Sequence, residues 1–363
     1  MKNQLRTIVA AASFFALTGL ATALVAQSTD ATVDRAEEQA REAWRISMHQ
    51  TSVPGAGCFH ASFPSREWEE VQCAAAPAYR YALPRIENRV QTVGNAYDYV
   101  AKAPSGHTFS SVAGSFPTVT GVTSESSVGV PAFGDGGILG TNEYTVQVNT
   151  NFYHSAACGK YTRCLAWQQY VISTNTPVSL TSNNLTNETE VFIEYWLIDY
   201  GSSRRSACPS GFLNAGSDAE GPGVDCVQNT AATKIVGGQL PITDLAGLGL
   251  SATATAGGTD VATATYGGDA YAATVKDSYT DIASGWSEAE FNVFGNAGGS
   301  EAEFNSGSKI TVKLALTDGS TTAPTCVSHS SDAGTTGETN NLNLGSCSAT
   351  GGSAPYIEFT ESD

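Results

Sequence analysis

The chain has 363 residues, 18 basic against 35 acidic, for a formal net charge of −17. That balance argues against nucleic acid and anionic membrane surfaces as partners. Hydrophobic residues make up 41% and charged ones only 15%, enough apolar material for one large domain or two smaller ones.

In chain order, Lys2 and Arg6 precede an uncharged, mostly apolar run from Thr7 to Ala26. Small residues at Ala21, Ala23 and Ala26 offer cleavage after Ala23 or Ala26, so residues 1–26 are expected to be an export signal. An uncleaved anchor is the alternative, since the run is long enough to cross a bilayer. Cleavage would leave 16 basic residues against 35 acidic. The mature chain is then expected to be secreted or periplasmic, monomeric and free of the membrane. Its low charge density suits an acidic exterior.

Ala31–Met48 carries Val33, Ala36, Ala40, Ala43 and Ser47 at helical spacing, with Asp30 placed to cap it. A Pro-containing stretch from Gly57 to Arg85 follows, with Cys58 and Cys73 placed to clip a loop. Residues 27–90 therefore read as an N-terminal segment or propeptide. Residues 91–363 read as a β domain.

From Val93 onward the pattern has period two and is broken by Gly, Pro, Asn and Asp. In 144–152, Tyr144, Val146, Val148, Thr150 and Phe152 form one face, and Thr145, Gln147, Asn149 and Asn151 the other. In 309–316, Ile310, Val312, Leu314 and Leu316 should face inward, with Lys309, Thr311 and Lys313 outward. Strands are also predicted at Phe109–Phe116, Leu165–Thr174, Leu250–Ala256, Val261–Tyr266, Tyr271–Asp277, Glu290–Phe294 and Tyr356–Thr360, with a hairpin across 251–268. Many short strands with Gly-rich turns predict an all-β, antiparallel two-sheet β-sandwich of jelly-roll or lectin-like type, with a short, partly helical N-terminal segment.

Val191–Tyr200 differs from these strands. Both its faces are apolar, which predicts a central strand covered on both sides. Glu194 shares a face with Phe192 and Trp196. Leu165–Thr174 behaves likewise, so one of the pair Gln168 and Gln169 must point into each face.

The eight cysteines, Cys58, Cys73, Cys158, Cys164, Cys208, Cys226, Cys326 and Cys347, are an even number in an exported chain, which favours disulfides. The simplest pairing joins neighbours: 58–73, 158–164, 208–226 and 326–347. The rival is a metal site using His60 or His154, but neither has a zinc-type spacing. Asp-Gly stretches such as 133–140 fit turns better than calcium loops. No metal or cofactor is expected.

There is no GxSxG, HExxH or Walker A motif, and the five histidines are scattered. What remains is carboxylates and amides on strands. Glu290 and Asn292 share one face, with Ala289, Phe291 and Val293 on the other. A Glu can serve as base for an attacking water, and a Gln amide can donate to an oxyanion. In order along the chain stand "GNAYDYVAKA", "FSSVAGSFPTV", "WQQYV", "FIEYWLIDY" and "AEFNVFG". Over about 95–304 this series resembles the glutamic peptidases, the acid-acting β-sandwich endopeptidases of the eqolisin family. The resemblance implies Glu290 as the catalytic Glu. It implies Gln168 as the catalytic Gln if Val171 is matched, or Gln169 after a one-residue slip that flips the face. It implies Glu194 as the supporting acid. Tyr170, Trp196 and Asn292 are further candidates for support or for lining the groove. The expected partner is a polypeptide substrate. Two other readings fit the same residues: a carbohydrate-binding lectin-like sandwich stacking sugars on Trp167, Trp196, Trp286 and the many tyrosines, and a glycoside hydrolase using Glu194 and Glu290.

Overall fold

The computed structural model describes residues 35–78, 98–179, 184–217, 221–235, 237–328 and 336–363. The expected export signal and the boundary near residue 90 lie outside them. The predicted helix is present over 35–48, its first four residues lying outside.

Twenty-two strands follow in the described residues. They begin with β1 (Cys58–Ser62), β2 (Glu69–Val71), β3 (Tyr99–Lys102), β4 (Ser111–Thr120), β5 (Glu125–Gly129), β6 (Gly140–Thr141) and β7 (Tyr144–Thr150). Next come β8 (Leu165–Ser173), β9 (Thr189–Tyr200), β10 (Leu213–Gly216), β11 (Val224–Asn229), β12 (Thr233–Ile235), β13 (Leu248–Thr253), β14 (Thr259–Tyr266) and β15 (Asp269–Lys276). The last are β16 (Glu288–Gly295), β17 (Ser300–Phe304), β18 (Lys309–Thr317), β19 (Thr325–Ser328), β20 (Thr339–Asn340), β21 (Asn343–Thr350) and β22 (Tyr356–Ser362).

Two large antiparallel sheets form the sandwich. The back sheet runs β2-β1-β15-β14-β13-β4-β18-β22-β21. The front sheet runs β10-β11-β9-β8-β7-β16-β3-β19, with β12 also paired to β9. A third sheet, β20-β17-β5-β6, packs beside β16 and was not expected from the sequence. Its strands have two to five residues, too few to show an alternation.

The faces follow the period-two pattern. On β18, Ile310, Val312, Leu314 and Leu316 are buried and Lys309 is exposed. Between the sheets, Phe291 of β16 packs 5.0 Å from Phe116 of β4, ring centre to ring centre. Gly114 makes that approach possible, because a Cβ there would stand 2.2 Å from the Phe291 ring. β8 and β9 are covered on both faces, as their composition required. So is β7, whose polar face is buried along with its apolar one.

All four disulfides join sequence neighbours: Cys58–Cys73, Cys158–Cys164, Cys208–Cys226 and Cys326–Cys347. The N-terminal segment is packed onto the sandwich. Its β1 pairs with β15, and Trp44 and Met48 of the helix cluster with Ala61 and Ala270. Its one disulfide is internal to it, so among the described residues no bridge ties it covalently to the rest. No helix of the described residues is long and apolar enough to cross a membrane.

Candidate functional site

Because side chains alternate across a strand, register decides which residues share a face. On β8, Ala166, Tyr170 and Ile172 join the core between the sheets, and Gln168 has their parity. Trp167, Gln169 and Val171 point to the outer face. Gln169 stands opposite Glu194 of β9 on one side and Asn149 of β7 on the other. Asn149 stands opposite Glu290 of β16, and Glu194 opposite Asn229 of β11. One row therefore crosses five strands: Asn229, Glu194, Gln169, Asn149, Glu290. Strands lie about 4.8 Å apart, so Gln169 and Glu290 are roughly 10 Å apart at Cα, and Glu194 and Glu290 roughly 14 Å.

Hydrogen bonds run along this row. Asn149 Nδ2 donates to Glu290 Oε2 at 2.8 Å. Gln169 Nε2 donates to Asn149 Oδ1 and to Gln147 Oε1, each at 3.0 Å. Trp196 Nε1 donates to Glu194 Oε1 at 2.8 Å, and Asn229 also bonds Glu194. Asn149 thus joins Gln169 to Glu290 from the strand between them. The row is closed to solvent: Glu290 is 0% exposed, Gln169 3% and Glu194 8%.

Further carboxyls converge on it. Glu338 accepts from Gln147 Nε2 at 3.3 Å and bonds Gln169. The amide of Asn292 holds two acids, donating to Asp98 Oδ2 at 2.8 Å and Glu361 Oε1 at 2.6 Å. Burial disfavours charge on all of these groups. It raises Glu194 to about 8, with the Glu338 charge adding and the Trp196 and Asn229 bonds opposing. It raises Glu361 to about 8, opposed by Asn292 and Asn340, with the Glu290 charge adding. Burial and then the charges of Glu290 and Glu361 push Asp98 well up.

Gln168 is absent from the row, and this corrects the register that matched Val171. It lies on the opposite face, where its Oε1 accepts from Thr280 Oγ1 at 2.6 Å. Its Nε2 donates to Tyr170 Oη at 2.8 Å and to Asp260 Oδ2 at 3.3 Å. The one-residue slip to Gln169 is the register that shares a face with Glu290. Tyr170 likewise belongs to the core, stacked on Trp286 at 5.9 Å, and lines no groove. Trp196 packs with Phe152, Trp167, Ile198 and Val227 while bonding Glu194. Asn292 braces Asp98 and Glu361.

Sequence reasoning missed Asn149, Gln147, Asn229, Asp98, Glu338 and Glu361 as site residues. Part of the signal was present, since Gln147, Asn149 and Asn151 already formed an amide face on one strand.

Other chemistries find less support. Among the described residues no three His, Cys, Asp or Glu gather as metal ligands. Residues 133–140 include a turn with Asp135 and Gly134 at positive φ. Ser62, His60 and Asp269 meet on β1 and β15, but Asp269 Oδ1 lies 2.9 Å from His60 Nε2, the same nitrogen that Ser62 Oγ approaches at 3.4 Å. A relay needs the acid and the hydroxyl on opposite ring nitrogens. His329 lies outside the described residues. Trp167, Trp196 and Trp286 are all buried, leaving no exposed tryptophan platform for a sugar among the three. Glu194 and Glu290 stand three strands apart with the amides of Gln169 and Asn149 between them, where a paired-carboxyl glycosidase needs the bond to lie. No family model matches the chain, and no curated protein matches it.

Proposed function

We propose that this chain is an exported acid endopeptidase that hydrolyses peptide bonds with a water activated by Glu290 and Gln169. The single observation that carries this reading is the row: Glu290, Asn149, Gln169 and Glu194 opposite one another on adjacent strands of one sheet.

Glu290, as the carboxylate, takes a proton from water while the water oxygen bonds to the scissile carbonyl carbon. The carbonyl π pair moves onto oxygen, and the Gln169 NH2, giving up its bond to Gln147, donates to that oxyanion. The C–N bond then breaks, and Glu290 passes its proton to the leaving nitrogen. Asn149 aligns the two groups. Glu194, protonated below about 8, supports the row without adding charge to it. The closed row describes a resting form, so catalysis requires the segments against it to yield to substrate. The signal-like N-terminus and four disulfides support export. Residues 27–90, with their single internal bridge, are read as a detachable propeptide.

Incubation of the mature chain with denatured protein between pH 2 and 7 tests the reading. Cleavage should occur on the acid side, resist pepstatin, and fall about 100- to 10,000-fold in Glu290→Gln. Cleavage unchanged by that substitution would sink the assignment.

A further inference from the structure

Beside the row, on the same outer face, the chain holds a piece of itself. Residues 74–77 read Ala-Ala-Ala-Pro. Ala74 and Ala232 form an antiparallel bridge: Ala74 N–H donates to Ala232 O at 2.8 Å, and Ala232 N–H to Ala74 O at 3.3 Å. The Ala74 methyl packs against the cluster of Ile138, Val171, Phe192 and Ala232. Three residues on, the buried Pro77 gives its carbonyl to Asn229 Nδ2 at 2.9 Å. Ala75 and Ala76 between them are exposed.

Main-chain bonds, one side-chain amide and one methyl therefore hold this stretch, and among the described residues no charged side chain takes part in the hydrogen bonds that fix it. That is how an extended peptide is recognised when a sheet margin supplies the backbone bonds and a pocket reads alternate side chains. The place also matters. Val171 lies two residues beyond Gln169 on β8, and Phe192 two before Glu194 on β9, so the pocket is the next cross-strand position, roughly 7 Å along the strands. From Ala74 to Pro77 the segment advances from this pocket to Asn229, which is itself in the row.

We infer that the pocket of Val171, Phe192 and Ala232, together with Asn229, is a peptide-binding subsite, and that residues 74–77 occupy it as the chain's own stand-in for substrate. The pocket takes a small apolar side chain such as Ala. Asn229 holds the carbonyl of the residue three positions further on. Its place in catalysis rests on the peptidase reading; the binding itself does not.

The test uses the full chain carrying Ala74→Arg, which puts a charge into the apolar pocket at the pH used, and Ala74→Trp, which overfills it. Each is titrated at pH 4 with acetyl-Ala-Ala-Ala-Pro-amide, followed by tryptophan fluorescence and calorimetry. Saturable binding is expected to both variants and none to the unaltered chain. Adding Asn229→Leu should weaken binding at least tenfold, and so should replacing the first Ala of the peptide by Phe. Folded variants that ignore the peptide, or bind it equally with Asn229→Leu, would overturn the subsite. Asn229→Leu alone should speed hydrogen exchange at Ala74 and Ala232, and unchanged exchange would also overturn it. Peptide bound as described by a chain that cleaves no protein would retire the peptidase reading and leave the subsite standing.

Discussion

The contact between the helix at 35–48 and the back sheet, and the polar row of the front sheet, are both buried, and each contains a group held in its neutral form. They answer acid in opposite directions. His49, just past the helix, sits with Nδ1 2.8 Å from Ser251 Oγ and Nε2 3.2 Å from Thr265 Oγ1. Burial lowers it from 6.5 to about 4. The folded state thus binds fewer protons there than the unfolded one, and the contact has its full stability above 6.5 and loses it as pH falls towards 4. Glu194 and Glu361 are raised from 4.5 to about 8. The folded row binds more protons than the unfolded chain, so its stability is full below 4.5 and is lost as pH rises through 8. A chain built this way holds its N-terminal segment most firmly near neutrality and its polar row, with the carboxyls against it, most firmly in acid, the order that the proposed acid-acting enzyme with a removable segment would require.

The largest expected effect is on the row as a whole. The melting temperature should fall by about 10 °C between pH 4 and pH 8, since several raised carboxyls act together and about 1 kcal/mol is worth 1–2 °C in a chain of this size. A flat profile would break the comparison on the side of the row. Glu194→Gln keeps the shape without the titration, and should remove a measurable part of that fall. On the other side, neutralising His49 as Gln sharpens the contrast. At pH 3.5, hydrogen exchange in residues 35–62 of the unaltered chain should outrun that of β7, β8 and β16. His49→Gln should restore protection by on the order of 3 kcal/mol, the equivalent of the drop from 6.5 to about 4. The smallest effect is expected from Gln168→Ala, which strands Thr280 and Asp260 in the core and should cost about 1–3 kcal/mol in a denaturant titration.

Much of the architecture was readable. Alternation located ten of the strands between Ser111 and Ser362 to within a few residues, but not β10–β12, β19, β21 or the third sheet, and pairing neighbouring cysteines was correct because each bridge closes a local loop. The site was only half readable, for a reason visible in β8. Period two says that Gln168 and Gln169 point opposite ways, but when both faces of a strand are apolar it does not say which faces the other sheet. Trp167 and Tyr170 are equally suited to burial, and only the register with β7 and β9 resolves them. Asp98, Glu338 and Glu361 were unreadable for another reason. Each comes from a separate stretch, far from the strands it meets, and burial there is a property of the assembled fold.

The central claim is that the row, and not the core face behind it, performs the chemistry. It is tested most directly by measuring kcat for cleavage of a denatured protein at acid pH in Gln169→Ala beside Gln168→Ala, at a temperature where both are folded. The row predicts a loss of about 100- to 1,000-fold for Gln169→Ala, as for a missing oxyanion donor, and a change of only a few fold for Gln168→Ala. Equal losses, or the larger loss in Gln168→Ala, would contradict it.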